Sequence, residues 1–164
     1  MSQYANPSED AGHIPLTARL RILVIFILFT FLLHFSWEIL QAPLFALMPV
    51  MSQWQATLVC LKATFGDIGI APAAFSAGGL LDRNVAWFLQ PSAGALVAYM
   101  AVGVLFTTVF AWHSVYWANR LAYSNLMPVV PLLGIGASPL LQWLLIPPVA
   151  PQLLRRHFRA VGRP

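Results

Sequence analysis

Hydrophobic residues dominate this chain in four long stretches, and polar residues collect between them. The stretches cover residues 22–41, 54–77, 93–115 and 129–150. At about 1.5 Å per residue, each can cross the ~30 Å hydrocarbon core of a bilayer as a helix. Stretches of this length are typical of transmembrane helices. The pattern therefore predicts an all-α, polytopic membrane protein, a bundle of four transmembrane helices.

The fourth stretch differs from the other three in its proline content. Five prolines border or interrupt it: Pro128, Pro131, Pro139, Pro147 and Pro148. A proline inside a helix removes a backbone hydrogen bond and collides with the preceding turn. We therefore expect the fourth helix to be kinked.

Composition supports the membrane class and a single domain. The 164 residues are 59% hydrophobic and 9% charged, whereas soluble domains have roughly 25% charged residues. We expect a short cytoplasmic tail at 1–18, one four-helix transmembrane domain at 19–154 and a basic cytoplasmic tail at 155–164. The lone cysteine, Cys60, has no partner for an intrachain disulfide.

Basic residues predict the orientation in the membrane. The net charge is +4, and five of the nine basic residues flank apolar stretches: Arg19, Arg21, Arg155, Arg156 and Arg159. Lys and Arg accumulate on the cytoplasmic side of membrane proteins, so both termini are expected there, in a bacterial inner membrane. Arg120 is the exception. The same placement is a topology signal rather than a nucleic-acid surface, so no nucleic-acid partner is expected.

Ionisable residues inside the first two stretches are the main functional signal. His34 and Glu38 interrupt the first stretch, and Lys62 and Asp67 interrupt the second. Placing Lys62 and Asp67 in a membrane costs about 5–7 kcal/mol, whereas the seven large apolar residues of that stretch return only about 2–4 kcal/mol. The second helix should therefore need polar partners. We expect Glu38 to pair with Lys62, which leaves His34 and Asp67 for other contacts.

Helical spacing groups these residues on common faces and predicts a polar pocket in the outer half of the bundle. His34, Glu38 and Gln41 are four and three residues apart, and so share one side of a helix. An ionisable residue inside a membrane marks a candidate site. The candidate catalytic residues are His34, Glu38 and Asp67, and the candidate ligand-binding residues are Gln41, Lys62, Trp37, His113 and Gln142.

No motif assigns a reaction or a cofactor. The chain lacks H-E-x-x-H, G-x-S-x-G, P-loop, dinucleotide-binding and haem-attachment signatures. His34 and Glu38 could chelate a metal with His113 as a third ligand, but the sequence lacks a second His or carboxylate at helical spacing elsewhere, so no metal site is expected. The spacing of His34 and Glu38 resembles a pair in the emopamil-binding type of sterol isomerase, but the resemblance covers two residues and implies no activity here.

Three functions fit these observations. The leading hypothesis is a membrane protein that binds or modifies a hydrophobic or lipid-like small molecule, with proton transfer by His34 and Glu38 as the chemistry if it is an enzyme. One alternative is an accessory subunit of a larger membrane complex, whose buried charges fix helix register or meet a partner protein. Another is a small transporter, which would have to form a homo-oligomer.

Overall fold

Four long helices form most of the molecule. The computed structural model describes residues 15–118 and 120–161. The helices are α1 (Leu16–Gln41), α2 (Gln53–Leu81), α3 (Ala93–Trp112) and α4 (Ala137–Val161). A π-helical turn, His113–Trp117, extends α3, and short 3-10 turns lie at Ala42–Leu44, Met48–Val50 and Trp87–Leu89. The predicted helical class is confirmed.

Serine caps determine where α2 and α3 begin. The side chain of Ser52 accepts a hydrogen bond from the backbone N–H of Gln55. In return, the side-chain oxygen of Gln55 accepts a hydrogen bond from the backbone N–H of Ser52. Ser92 accepts from the backbone N–H of Ala95 in the same way. Such caps satisfy backbone donors that the first helical turn leaves unpaired.

Three of the four helices are long and apolar enough to cross a membrane. These candidate spans are Leu16–Leu44, Gln53–Leu81 and Ala93–Trp117. Their outward faces expose large apolar side chains, including Leu28, Leu32, Val97, Leu105 and Val109. A soluble monomer rarely exposes so much continuous apolar surface. The chain is therefore a helical protein with three candidate membrane-spanning helices.

The fourth apolar stretch and the fourth helix coincide only in part, over residues 137–150. Residues 129–136 form an antiparallel hairpin of two short strands, β1 (Val129–Val130) and β2 (Ile135–Gly136). Gly134 has a φ of +66°, a conformation that favours glycine. Helix α4 starts only at Ala137 and continues through the basic segment, past the predicted domain end at residue 154. Its buried residue Phe158 anchors that last part.

Each long helix packs mainly against two others: α1 against α2 and α4, and α3 against the same two. Along α1 the buried residues recur almost strictly every fourth position: Ala18, Ile22, Phe26, Thr30, His34, Glu38 and Gln41. Gly103 of α3 faces Trp143 of α4 so closely that a methyl group at Gly103 would overlap the indole ring. Small residues thus permit close helix contact.

Aromatic rings fill the core at one end of the helices. We call the following residues the aromatic cluster: Phe26, Phe75, Trp87, Phe88, Tyr99 and Phe158. The Phe26 and Phe75 ring centroids lie 4.3 Å apart, and those of Phe75 and Trp87 lie 5.0 Å apart. The guanidinium carbon of Arg21 lies 5.5 Å from the Phe158 ring centroid, a cation–π contact at the edge of the cluster.

Candidate functional site

The buried residues of α1, which recur about every fourth position, form a stripe along one face of the helix. In the second half of this stripe polar residues replace the apolar ones. His34, Glu38 and Gln41 are 0%, 7% and 4% exposed, so they share one inward face as their spacing predicts. The first half of the same stripe holds Ile22 and Phe26. The polar side chains are therefore inside the protein rather than on its apolar surface.

His34 is tied to two other helices. Its Nδ1 lies 3.0 Å from Oδ2 of Asp67 on α2 and 2.6 Å from the amide nitrogen of Gln142 on α4. The same amide nitrogen donates to Oδ2 of Asp67 at 2.8 Å. The three side chains thus converge where α1, α2 and α4 meet.

The 2.6 Å contact between Nδ1 of His34 and the Gln142 amide nitrogen fits a neutral His34 ring. In a neutral ring with its proton on Nε2, Nδ1 accepts a hydrogen from Gln142, which gives its other hydrogen to Asp67. In a protonated ring, Nδ1 would donate to the Asp67 carboxylate, and the Gln142 amide nitrogen, which is also a donor, would have to move away from Nδ1. Nε2 of His34 is buried and has no hydrogen-bond partner among the described residues. Its ring packs against Trp143, with centroids 5.0 Å apart.

A second group of hydrogen bonds orients Glu38. The Gln41 amide nitrogen donates to Oε1 of Glu38 at 2.8 Å. The Gln41 amide oxygen accepts from Oγ of Ser138 at 2.8 Å and from the indole N–H of Trp37 at 3.2 Å. Gln41 is therefore held from both sides, which fixes the Glu38 carboxyl through it. We call His34, Glu38, Gln41, Asp67, Ser138 and Gln142 the polar network.

The expected pair of Glu38 with Lys62 does not form. Lys62 is exposed on α2, and no acidic group of the described residues lies within salt-bridge distance of it. Lys62 and Asp67 are five residues apart, which is about 140° around a helix. Because Asp67 turns toward α1 and α4, Lys62 faces outward. The carboxyl group that has a basic partner is that of Asp67, and the partner is His34. Lys62 was expected to be the basic partner, and Glu38 its carboxyl group.

His113 also lies away from the polar network. It is exposed on the π-helical turn after α3, and its neighbour Ser114 contributes to the site instead. Of the predicted site residues, the structure thus brings together His34, Glu38, Gln41, Asp67 and Gln142, with Trp37 beside them. It leaves Lys62 and His113 outside.

A cavity of about 540 Å³ adjoins the polar network. Its polar wall consists of Glu38, Gln41, Asp67, Thr107, Ser114, Tyr123 and Gln142. Apolar residues such as Val59, Ile70, Phe106 and Phe110 form most of the remainder. The volume lies within the ~300–1,000 Å³ usual for small-molecule sites, which combine an apolar lining with a few polar groups.

The cavity opens sideways, between α2 and α3. On α2 its rim consists of small, exposed residues, Ala63, Gly66 and Gly69, and on α3 Phe106 and Phe110 are partly exposed. A methyl group added to Gly66 or Gly69 would meet no atom within 4 Å. Both helices are candidate membrane spans, so this opening lies on the apolar surface of the protein.

Two connecting segments cover the end of the cavity beyond the helices. The backbone N–H of Ala46 donates to the carbonyl of Ala122 at 2.9 Å, and the Phe45 and Tyr123 rings lie 5.9 Å apart. Burial raises the pKa of the Tyr123 phenol above its usual value. Phe45, Met48 and Tyr123 all line the cavity.

Several residues of the site carried no clear signal in the sequence. Thr107 sits in an ordinary apolar stretch, yet its hydroxyl oxygen is buried without a partner among the described residues, and it lines the cavity. Ser138 looked like part of a helix interior, but it is a hydrogen-bond partner of Gln41 at the start of α4. Only the fold brings these side chains to the polar network.

Comparison with known proteins adds no assignment. The chain matches no protein-family model, no curated protein and no solved structure at a significant level.

Proposed function

We propose that this protein binds a hydrophobic small molecule from the bilayer in the cavity beside the polar network. The observation that carries the proposal is the position of the cavity. It opens between two apolar helices, α2 and α3, and reaches two carboxyl groups, those of the buried Glu38 and the partly buried Asp67. An apolar molecule dissolved in lipid meets such an opening without crossing water.

In this proposal all four helices form one transmembrane bundle. Helix α4 is less apolar than the others, but it packs against α1 and α3 and supplies Gln142 to the polar network. Pro147, Pro148 and Pro151 inside α4 favour a kink there. The distribution of arginines favours a bacterial inner membrane with both termini on the cytoplasmic side.

If the bound molecule reacts, Glu38 is the group positioned to exchange a proton with it. Glu38 lines the cavity, whereas His34 does not and contacts Asp67 and Gln142 instead. A His34–Glu38 proton relay is therefore less well supported than a role of Glu38 with Asp67. His34 then acts as a positioning residue for Asp67.

The test is whether filling the cavity removes a bound molecule. The protein is purified in a mild detergent, extracted with organic solvent and examined by mass spectrometry for co-purified hydrophobic molecules. The variant Gly66→Leu places a side chain in the open space of the cavity, so the bound molecule should be lost. The control Ala101→Leu adds similar bulk on an exposed position of α3.

The two variants give a clear decision. Loss from Gly66→Leu with retention in Ala101→Leu supports binding in the cavity. Equal amounts of the same molecule in wild type and both variants would place it elsewhere on the protein and overturn the proposal.

A specific observation favours a second candidate, an accessory subunit of a membrane complex. Lys62 is exposed in the middle of a candidate span, where a charge is costly without a counter-charge. An acidic residue on a partner helix would supply one. Mild-detergent purification should then recover a stoichiometric partner protein that Lys62→Leu loses, and a monomer without partners in both proteins would contradict this role.

A further inference from the structure

We propose that the ligand of this cavity is a lipophilic amine, a molecule with an apolar body and one protonated nitrogen. The inference rests on the proposed function, because it assumes that the cavity binds a molecule from the bilayer. It adds the charge and the chemical class of that molecule.

The charge in the cavity wall points to a cation. Glu38 and Asp67 line the cavity, and no Lys, Arg or His of the described residues lines it. The nearest neutral donors, the amides of Gln41 and Gln142, bind these two carboxyl groups without neutralising them. The wall is therefore rich in hydrogen-bond acceptors and carries no positive charge of its own.

The described residues compensate at most one of the two carboxyl groups. His34, when protonated, pairs with Asp67 through the 3.0 Å contact of Nδ1 with Oδ2. Glu38 then has no cationic partner, since Lys62 is exposed and faces outward. An unpaired charge in a low-dielectric site is costly, and an ammonium group placed beside it would remove that cost.

The rest of the cavity suits the body of such a molecule. Phe45, Phe106 and Phe110 offer aromatic surface, and the open space beside Gly66 and Gly69 leads toward the lipid-facing opening. The nitrogen would lie at Glu38 and Asp67, and the apolar body would extend between α2 and α3. Aromatic rings near a cation add attraction.

The experiment compares three probes that share one dodecyl chain and differ only in the head group: dodecylamine, dodecanol and dodecanoate. Binding is measured to the full-length protein in nanodiscs of phosphatidylcholine, with empty nanodiscs subtracted to correct for partition into lipid. The amine should bind at least tenfold more tightly than the alcohol, and the carboxylate should bind most weakly.

Variants test which carboxyl group of the protein recognises the positive charge of the amine probe. Glu38→Gln keeps the shape and hydrogen-bonding capacity of the side chain but removes its charge, so the ratio of amine to alcohol affinity should fall toward one. Asp67→Asn is the second variant if Glu38→Gln does not fold. Asp82→Asn is the matched control, because Asp82 is an acidic residue outside the cavity and bonds Ser92 instead.

The outcomes separate this inference from the proposed function. Equal binding of all three probes, each lost in Gly66→Leu, would keep the binding cavity and overturn the preference for amines. No binding of any probe, together with no co-purified molecule, would overturn the proposed function itself. An amine preference that Glu38→Gln, Asp67→Asn and Asp82→Asn all leave intact would also overturn the inference, since its source would lie outside the cavity.

Discussion

The same buried face of α1 packs into an apolar core at one end of the helices and into a polar site at the other. At one end the stripe of α1 places Phe26 in the aromatic cluster, and at the other it places His34 and Glu38 in the polar network. Glycines on α2 differ in the same way. Gly78 is covered by the Trp87 ring, whereas Gly66 faces open space. Small residues thus permit close packing where a large ring fills the gap and create a cavity where none does.

We expect the largest loss of stability from a change in the aromatic cluster. Phe26→Ala removes a fully buried ring in contact with Phe75 and Tyr99. We expect it to lower the free energy of unfolding by about 3–5 kcal/mol. Thermal or denaturant unfolding in detergent measures this, with Val24→Ala on the exposed face of α1 as control. Equal losses for the two variants would contradict a special contribution of the aromatic cluster to stability.

A pair of glycine variants should separate closed from open packing. Gly103→Ala forces a methyl group into the ring of Trp143, which is fully buried and cannot move aside. A loss of about 1–3 kcal/mol is expected from such overpacking. Gly66→Ala should instead stabilise α2 by about 0.5–1 kcal/mol, because its methyl group meets nothing. Melting temperatures that change in the same direction would contradict this contrast.

A double-mutant cycle would measure how strongly the polar network holds the helices together. The variants are His34→Leu, Asp67→Leu and the double variant. Each single change removes the contact between His34 and Asp67 and leaves the other residue with Gln142 as its remaining partner, whereas the double change removes both. We expect a coupling energy of about 1 kcal/mol in unfolding experiments. A coupling energy of zero would mean that the 3.0 Å contact contributes nothing to stability.

The smallest effect concerns the alkaline pH range. Because burial raises the pKa of the Tyr123 phenol, its contribution to stability is fully present below about pH 10, the pKa of an unfolded-chain tyrosine. That contribution is lost as the pH rises through the higher pKa of the folded state. Tyrosinate absorbance of wild type minus Tyr123→Phe reports it, and a difference curve with its midpoint at the usual tyrosine pKa would disprove the shift.

Hydrophobic pattern and helical spacing were enough to predict much of this architecture. The first three apolar stretches are helices, and the spacing of His34, Glu38 and Gln41 correctly predicts their common face. These features are local, because a helix brings residues three and four positions apart together whatever its surroundings are. The roles assigned to the site residues stay predictions.

Features that depend on contacts between distant segments could not be predicted from hydrophobic pattern and helical spacing. The Val-Val-Pro-Leu-Leu run at 129–133 is as apolar as a span but forms a hairpin, because turn geometry at Gly134 and strand pairing override its hydropathy. The partner of each charged residue could not be predicted from the sequence either. Lys62 lies on the helix that packs against α1, yet the rotation of α2 that directs Asp67 inward turns Lys62 away from Glu38.

The pairing of the two connecting segments through Phe45 and Tyr123 has a consequence for how occupancy must be measured. With that end covered, a molecule in the proposed site exchanges with the lipid phase, and an apolar molecule is concentrated there by partition. Its mole fraction among the lipids then determines saturation, and diluting the sample with buffer at a fixed lipid-to-protein ratio should barely change the fraction bound.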